Sequence, residues 1–239
     1  MNEALTKVPQ LERADTLTDQ AESVLRQALM SGGFRPGQTI TIRALSAMLG
    51  VSVTPAKDAM ARLIAERVLE WGRRRSALVP ELTLKSVDEI YTIRFALETT
   101  AATAAVPNFD EKAIIALEKT HERLSKAFAK QDYPNVLVNN RDFHFGIYER
   151  ANLPILLGMI EGLWLRLGPS LNLLYSSFSK ADWAHREGTG YHEEIVAALR
   201  AKDAEAVRAQ IIADLTTGRD RLEATIESAG GAVLPAEAA

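Results

Sequence analysis

Four residues in the second part of the chain carry side chains that could bind a metal ion or anchor a buried polar network. Asn140 and His144 are one helical turn apart, so both point from the same helix face. His192 opens a later helical stretch, and Asp214 lies in the middle of the last one beside Ile211, Leu215 and Gly218. A carboxylate set against such an apolar stripe needs a partner. Two imidazoles, a carboxylate and an amide oxygen form an N/O donor set that suits zinc, nickel, manganese or iron, with open positions for water or an organic acid. The same side chains also serve as satisfied core groups, and for a lone histidine on an apolar face that is the more frequent use.

A second set is cationic. Arg35, Arg43, Lys57, Arg62, Arg67, Arg73, Arg74 and Arg75 crowd residues 35–75, where the acids are only Asp58, Glu66 and Glu70. The overall net charge of −3 hides this asymmetry. Residues 1–80 hold 11 Lys and Arg against 8 Asp and Glu, net +3, and the remaining residues hold 17 against 23, net −6. A basic field inside an acidic chain suits a polyanion such as DNA, and it equally suits a solvated helical face.

The elements that position the cations read clearly. Residues 19–31 form an amphipathic helix on Ala21, Val24, Leu25, Ala28 and Leu29, stopped by Gly32-Gly33. After a Pro36-Gly37 turn, Thr41 caps a second helix carrying Ala44, Leu45, Met48 and Leu49, and Gly50 closes it. Ser52 or Thr54 caps a third helix with Pro55 in its first turn and Ala59, Leu63 and Ile64 facing inward. Two short helices on a tight turn make a helix-turn-helix. The runs Val68–Trp71 and Ala77–Val79, joined by Gly72-Arg73-Arg74-Arg75-Ser76, read as a hairpin, the wing of a winged helix. Such a fold sets Ser52, Thr54 and Lys57 at a helix N-terminus in the DNA major groove and the arginine triplet on the backbone.

Gly50-Val51-Ser52-Val53-Thr54-Pro55-Ala56-Lys57-Asp58-Ala59-Met60, with Arg35-Pro36-Gly37 before it and the hairpin after it, resembles the DNA-binding domain of the GntR family of bacterial transcription regulators. Val53, Lys57 and Asp58 stand where that pattern usually has arginine, arginine and glutamate, and Ser76 stands where a wing glycine is common. The resemblance implies that Arg35, Arg43, Ser52, Thr54, Lys57, Arg73, Arg74 and Arg75 meet double-stranded operator DNA, read as two half-sites by a homodimer.

From Lys85 onward the pattern is helical. A capping box at Ser86-Val87-Asp88-Glu89 opens a helix through the alanine-rich residues 99–106, which Pro107-Asn108 breaks. Further helices start at Asp110, Tyr133 and Leu153-Pro154, with a restart at Gly168-Pro169 running to about residue 178. A polar loop over residues 179–190 precedes two last helices, 191–200 and 203–227. The expected fold is mainly α: a winged helix-turn-helix with a small β-hairpin wing over residues 1–80, an all-helical bundle over 81–230, and a disordered Ala/Gly/Pro tail over 231–239.

Arg94-x-x-x-Glu98, Asn140-Arg141-Asp142-Phe143-His144, His192, and Asp203 through Asp214 resemble the ligand-sensing helical domain of the FadR subgroup, called FCD. That resemblance implies a metal held by Asn140, His144, His192 and Asp214, with Asn140 replacing an aspartate and Asp214 a histidine. The alternative is a metal-free pocket in which these four bind the effector directly. Arg94 is assigned to an effector carboxylate, which a guanidinium grips through two parallel hydrogen bonds; its competing use is an i, i+4 pair with Glu98. Trp164, Tyr175 and Trp183 are candidates to line the pocket, but aromatics at helical spacing are more often core, and they are left out of the site.

With no cysteine, disulfide scaffolds, Cys-ligated metals and thiol catalysis are excluded. No Walker loop, G-x-S-x-G elbow or complete H-E-x-x-H is present. No signal-like or membrane-length apolar run occurs, so the expected location is the cytoplasm. The resulting expectation is an effector-responsive transcription regulator, a repressor sensing a small organic acid, in which linkage between pocket and DNA-binding domains alters operator affinity. The competing classes are a metal-dependent enzyme fused to a DNA-binding module and an architectural DNA-binder without effector.

Overall fold

The computed structural model describes residues 16–176 and 187–228. The first helix, α1 (Leu17–Met30), begins with a capping box in which Thr16 and Asp19 satisfy each other's backbone N–H groups, and it buries Ala21, Leu25 and Leu29. Thr41 caps α2 (Ile42–Leu49) by accepting the Ala44 N–H at 3.1 Å, and Gly50 ends it in the left-handed region, φ 64°. Ser52 is the N-cap of α3 (Val53–Ala65), and Ala56, Ala59, Met60 and Leu63 bury its inner face. The wing strands are β2 (Glu70–Trp71) and β3 (Ala77–Leu78). A third strand that the sequence does not announce, β1 (Thr39–Ile40), pairs antiparallel with the other edge of β3. Two residues are too few to show alternation, so only the tertiary pairing reveals it.

The bundle comprises α4 (Leu84–Ala105), α5 (Glu111–Ala129), α6 (Tyr133–Tyr148), α7 (Pro154–Ser176), α8 (Glu187–Arg200) and α9 (Ala204–Ser228), nine α-helices in all among the described residues. Helix α9 packs between α4 and α8, and α5 packs on α6 and α8. Three boundaries differ from expectation. The box opening α4 is Thr83 with Ser86, not Ser86 with Glu89: Thr83 Oγ1 accepts the Ser86 N–H (3.2 Å) and Ser86 Oγ accepts the Thr83 N–H (2.7 Å). Serine at the third helical position thus does what Glu or Gln usually does, and the helix gains its first residues.

Gly168-Pro169 does not restart a helix either; α7 runs through it. Pro169 lacks the N–H that would bond back along the helix, which normally kinks or ends it. Here tertiary packing holds the segment, because α1 lies directly on α7. A Cβ on Gly168 would press into the Leu29 carbonyl oxygen and stand 2.9 Å from Met30 Cα. Asn172 Nδ2 donates to the Gly32 carbonyl, and Arg166 Nη2 donates to the Glu66 carbonyl at 3.0 Å. One apolar cluster accordingly joins Leu25, Leu29 and Met30 to Leu163 and Leu167. Of the expected loop over 179–190, residues 187–190 belong to α8 and the rest lie outside the described residues, as does the 231–239 tail. No described helix is long and apolar enough to cross a membrane.

Candidate functional site

The cationic surface separates into structural and available charges. Arg62, counted in the basic field, pairs with Asp19 (2.8 Å) and Glu22 (2.7 Å), and Arg26 bridges Glu22 and Glu66, so these ions join α1 to α3. Arg62 lifts above its ordinary range through hydrogen bonds to Asp19 and Glu22. By contrast Arg35, Arg43, Lys57, Arg73, Arg74 and Arg75 are exposed and form no ion pair among the described residues.

At the start of α3, Ser52, Val53, Thr54 and Lys57 are all exposed, and the Ser52 side chain makes no capping hydrogen bond. The helix therefore presents hydroxyls, a cation and its unpaired first N–H groups outward, the equipment for phosphate contact and base reading. The wing arginines form a tight turn with Arg74 and Arg75 at φ 54° and 64°, anchored by Ser76 Oγ donating to the Arg73 carbonyl at 2.7 Å. Sequence reasoning passed over Trp71, which stands 61% exposed at the wing base.

The tertiary structure brings three of the four proposed metal ligands together. One ligand atom each from His144, His192 and Asp214 lies within 4.8 Å of the others. His144 Nε2 is 3.3 Å from Asp214 Oδ2, and His192 Nε2 is 3.6 Å from Asp214 Oδ1. Donor atoms placed tetrahedrally around a metal at about 2.0–2.2 Å are roughly 3.3–3.6 Å apart, and the two separations, taken on different oxygens of Asp214, are of that size. Asn140, one turn before His144 on α6, lines with His144 and Asp214 a cavity of about 60 Å³, together with Arg94, Trp164 and Tyr175, and His192 is not among its lining residues. The cavity has room for a few waters or one small organic molecule. Asp142, in contrast, lines a separate groove with Gln27 and Ser31 and pairs with Arg141.

The electrostatics sharpen the arrangement. His192 is 0% exposed, and neither ring nitrogen has a hydrogen-bond partner among the described residues. Burial, followed by the neighbouring His144 and His121, lowers its pKa to about 3 against the pull of Asp214, so the ring is neutral and has a lone pair to offer. Phe143 stacks on it at 4.1 Å and holds its plane. Burial would raise the Asp214 carboxyl, but His144, His192 and Arg94 outweigh it and hold the group below the usual carboxylate range.

Arg94, assigned to an effector carboxylate, forms the competing pair. Its Nε and Nη2 donate to Glu98 at 2.5 and 3.3 Å, and its guanidinium lies over the rings of Tyr91 and Trp164 at 4.7 and 4.9 Å. It still borders the cavity. Sequence reasoning did not place Glu98 or Tyr148 in the site. Both could have been found by helical spacing, Tyr148 being one turn beyond His144 and Glu98 one turn beyond Arg94, but that the two meet each other depends on folding. Trp164 and Tyr175, candidates for the pocket wall that were left out of the site, line the cavity, and Trp183 lies outside the described residues. His121, which sequence reasoning did not single out, packs 5.8 Å from the His192 ring but stands outside the three-ligand group.

Comparison with known proteins places both regions. Residues 17–79 match the family described as bacterial regulatory proteins, gntR family, and residues 89–217 match the FCD domain. The HTH-type transcriptional regulator McbR of Escherichia coli K12 is 37% identical over 193 residues, covering 81% of this chain and 86% of McbR. The gluconate operon transcriptional repressor of Bacillus subtilis is 25% identical over 208 residues, covering 85% and 82%. The solved structure of E. coli McbR/YncC superposes with a TM-score of 0.83 at 34% identity, over 87% of this chain and 98% of that one. A GntR regulator from Rhodococcus sp. RHA1, at 20% identity and TM-score 0.70 over 86% and 96%, shares the fold. These relatives are transcription regulators, not enzymes. The exposed recognition helix, the basic wing and the helical domain behind them are thus those of a DNA-binding transcription regulator, and the chain belongs to the GntR family with an FCD domain.

Proposed function

We propose that this regulator is a cytoplasmic homodimeric repressor that releases a near-palindromic operator when a small organic acid enters the FCD cavity, and that Asn140, His144, His192 and Asp214 hold a divalent zinc, nickel, manganese or iron ion there. The observation that carries the metal reading is His192, buried and neutral with both ring nitrogens unpartnered among the described residues, 3.6 Å from the Asp214 carboxylate. A buried polar group without a partner is costly, and a ligand relieves that cost. When bound, the ion supplies coordination positions for carboxylate oxygens. Asp214 contributes the balancing negative charge, and Asn140 offers a neutral, weaker donor than a carboxylate. Because Glu98 already neutralises Arg94, the guanidinium orients an acid through directed N–H groups more than it attracts it by net charge. A metal-free cavity remains the competing reading, favoured by the His144–Asp214 separation of 3.3 Å, itself an ordinary ion-pair distance.

Helix α7 is suited to couple the sites. It turns Trp164, Leu171 and Leu174 to the cavity and Gly168 and Asn172 to α1, so an occupant that shifts α7 shifts the winged helix with it. Dimerisation is supported by the other side of α7, where Ile155 (79% exposed) and Met159 (56% exposed) flank Gly158, which has open space above it. The repressive sign is supported by the name of the gluconate operon repressor.

The test combines elemental analysis of untagged protein with anisotropy on an operator selected from random DNA. Near-stoichiometric metal in the wild type that is lost in His144→Ala, with operator release by small carboxylic acids only in the metal-loaded form, is expected. Metal-free wild type overturns the metal reading. Operator affinity indifferent to every acid overturns the sensor reading.

A further inference from the structure

On the reading that the His144–His192–Asp214 centre holds a metal, we propose that Glu98 and Tyr148 are its positioning residues, fixing His144 as the Nδ1-protonated imidazole and so presenting its Nε2 lone pair toward Asp214. The hydrogen atoms can be followed along one buried chain. Glu98, fully buried, receives Arg94 Nε at 2.5 Å and Trp164 Nε1 at 3.1 Å on Oε1, and Arg94 Nη2 at 3.3 Å on Oε2. Guanidinium and indole only donate, so the carboxylate they converge on acts as an acceptor. The Tyr148 hydroxyl, 2.6 Å from Glu98 Oε2, therefore gives it its only hydrogen.

The Tyr148 oxygen has lone pairs alone left for His144 Nδ1, 3.2 Å away, so Nδ1 must carry a hydrogen to bond it. With Nδ1 carrying the hydrogen, a metal that replaces any hydrogen on Nε2 meets that atom's lone pair directed at Asp214 Oδ2, 3.3 Å away. At that distance Nε2 and the carboxylate face each other either across a hydrogen, as an ion pair, or across a metal ion that takes the hydrogen's place. Ligating histidines generally donate their second N–H to an oriented acceptor, which fixes the tautomer and strengthens the ligand. Here the acceptor is a phenol, itself oriented by a carboxylate on α4 fifty residues earlier in the chain. Three helices are thereby committed to one imidazole: α6 carries it with Tyr148, α4 supplies Glu98, and α7 supplies Trp164.

The test reads the proton directly. Long-range ¹H–¹⁵N spectra of ¹⁵N-labelled full-length protein, recorded at pH 8 in chelator and again with one equivalent of zinc, should show His144 Nδ1 protonated in both states. In Tyr148→Phe, checked for fold by its thermal melt, Nδ1 should lose its hydrogen in the zinc-free state as Nε2 becomes the donor to Asp214. Zinc affinity, measured by competition with a chelating dye, should fall about 10- to 100-fold. A wild-type spectrum with Nδ1 bare overturns the proposal whether or not the variant folds, and so does a folded Tyr148→Phe with wild-type zinc affinity. A wild type that binds no zinc yet shows Nδ1 protonated overturns the metal reading and leaves the tautomer assignment standing.

Discussion

The contact between α1 and α7 predicts that one substitution changes stability in opposite directions at two glycines. Gly168→Ala places a methyl against backbone: the Leu29 carbonyl oxygen, and Met30 Cα at 2.9 Å, which is about half an ångström inside ordinary contact. Neither atom can rotate away, so α1 must move. Overpacking of this kind costs roughly 1–3 kcal/mol, and opposition by backbone argues for the upper end. Against it stands the gain from replacing glycine by alanine in a helix interior, about 0.5–1 kcal/mol. The steric term wins, and the net loss is about 2 kcal/mol. For a chain of this size each kcal/mol moves the melting temperature by roughly 2–4 °C, so a fall of about 4–8 °C is expected.

Gly146 in α6 is the contrast. Its added methyl would meet only Leu117 Cδ1 at 3.5 Å, an ordinary contact, so Gly146→Ala keeps the helical gain and should raise the melting temperature by about 1–4 °C. Differential scanning calorimetry of both variants beside the wild type measures the two signs. If α7 transmits cavity occupancy, Gly168→Ala should also weaken the effect of an acid on operator affinity. A Gly168→Ala variant that melts at or above the wild-type temperature refutes the close approach of α1, and with it the packing that holds α7 continuous through Pro169.

Other expectations are separable from this one. Replacing Lys57, Arg73, Arg74 and Arg75 by alanine should weaken operator binding and reduce the slope of log affinity against log salt by about 0.9 for each phosphate that is no longer neutralised; an unchanged slope removes these residues from the DNA interface. The chelated protein should lose stability on acidification, because an unfolded chain protonates His192 below about pH 6.5 while the folded ring stays neutral down to about 3. Stability then rises with pH between those values, costing about 2 kcal/mol on going from pH 7 to 5, and denaturant titrations of His192→Phe should show that slope diminished. Depression of the Asp214 pKa acts in the same sense at lower pH, its contribution disappearing as the folded carboxylate is protonated. Ile155→Glu combined with Met159→Glu should halve the mass seen by light scattering and abolish tight operator binding; a dimer that persists places the interface elsewhere.

What could be read from the order of residues and what could not divides by the range of the interaction. Thr41 before α2, Gly50 after it, Pro55 in the first turn of α3 and the arginine turn between two short apolar runs are signals acting within about four residues. They determined the winged helix and, with it, DNA binding. The pair Asn140 and His144 was legible for the same reason, and Arg94 with Glu98 was readable as a possible turn-to-turn pair.

Whether Arg94 faces an effector or Glu98, whether Arg62 is a free cation or part of a brace, and whether Gly168-Pro169 ends a helix all depend on which element packs alongside. None of these has a local signature. His144, His192 and Asp214 come from three helices, and Glu98 and Trp164 from two more, so their convergence exists only after the bundle forms. Helical periodicity specifies which face of each helix is buried, but not the axial register that sets one buried polar group opposite another. Side-chain packing between helices distant in sequence sets that register, and it is what turns separate histidines and carboxylates into one site.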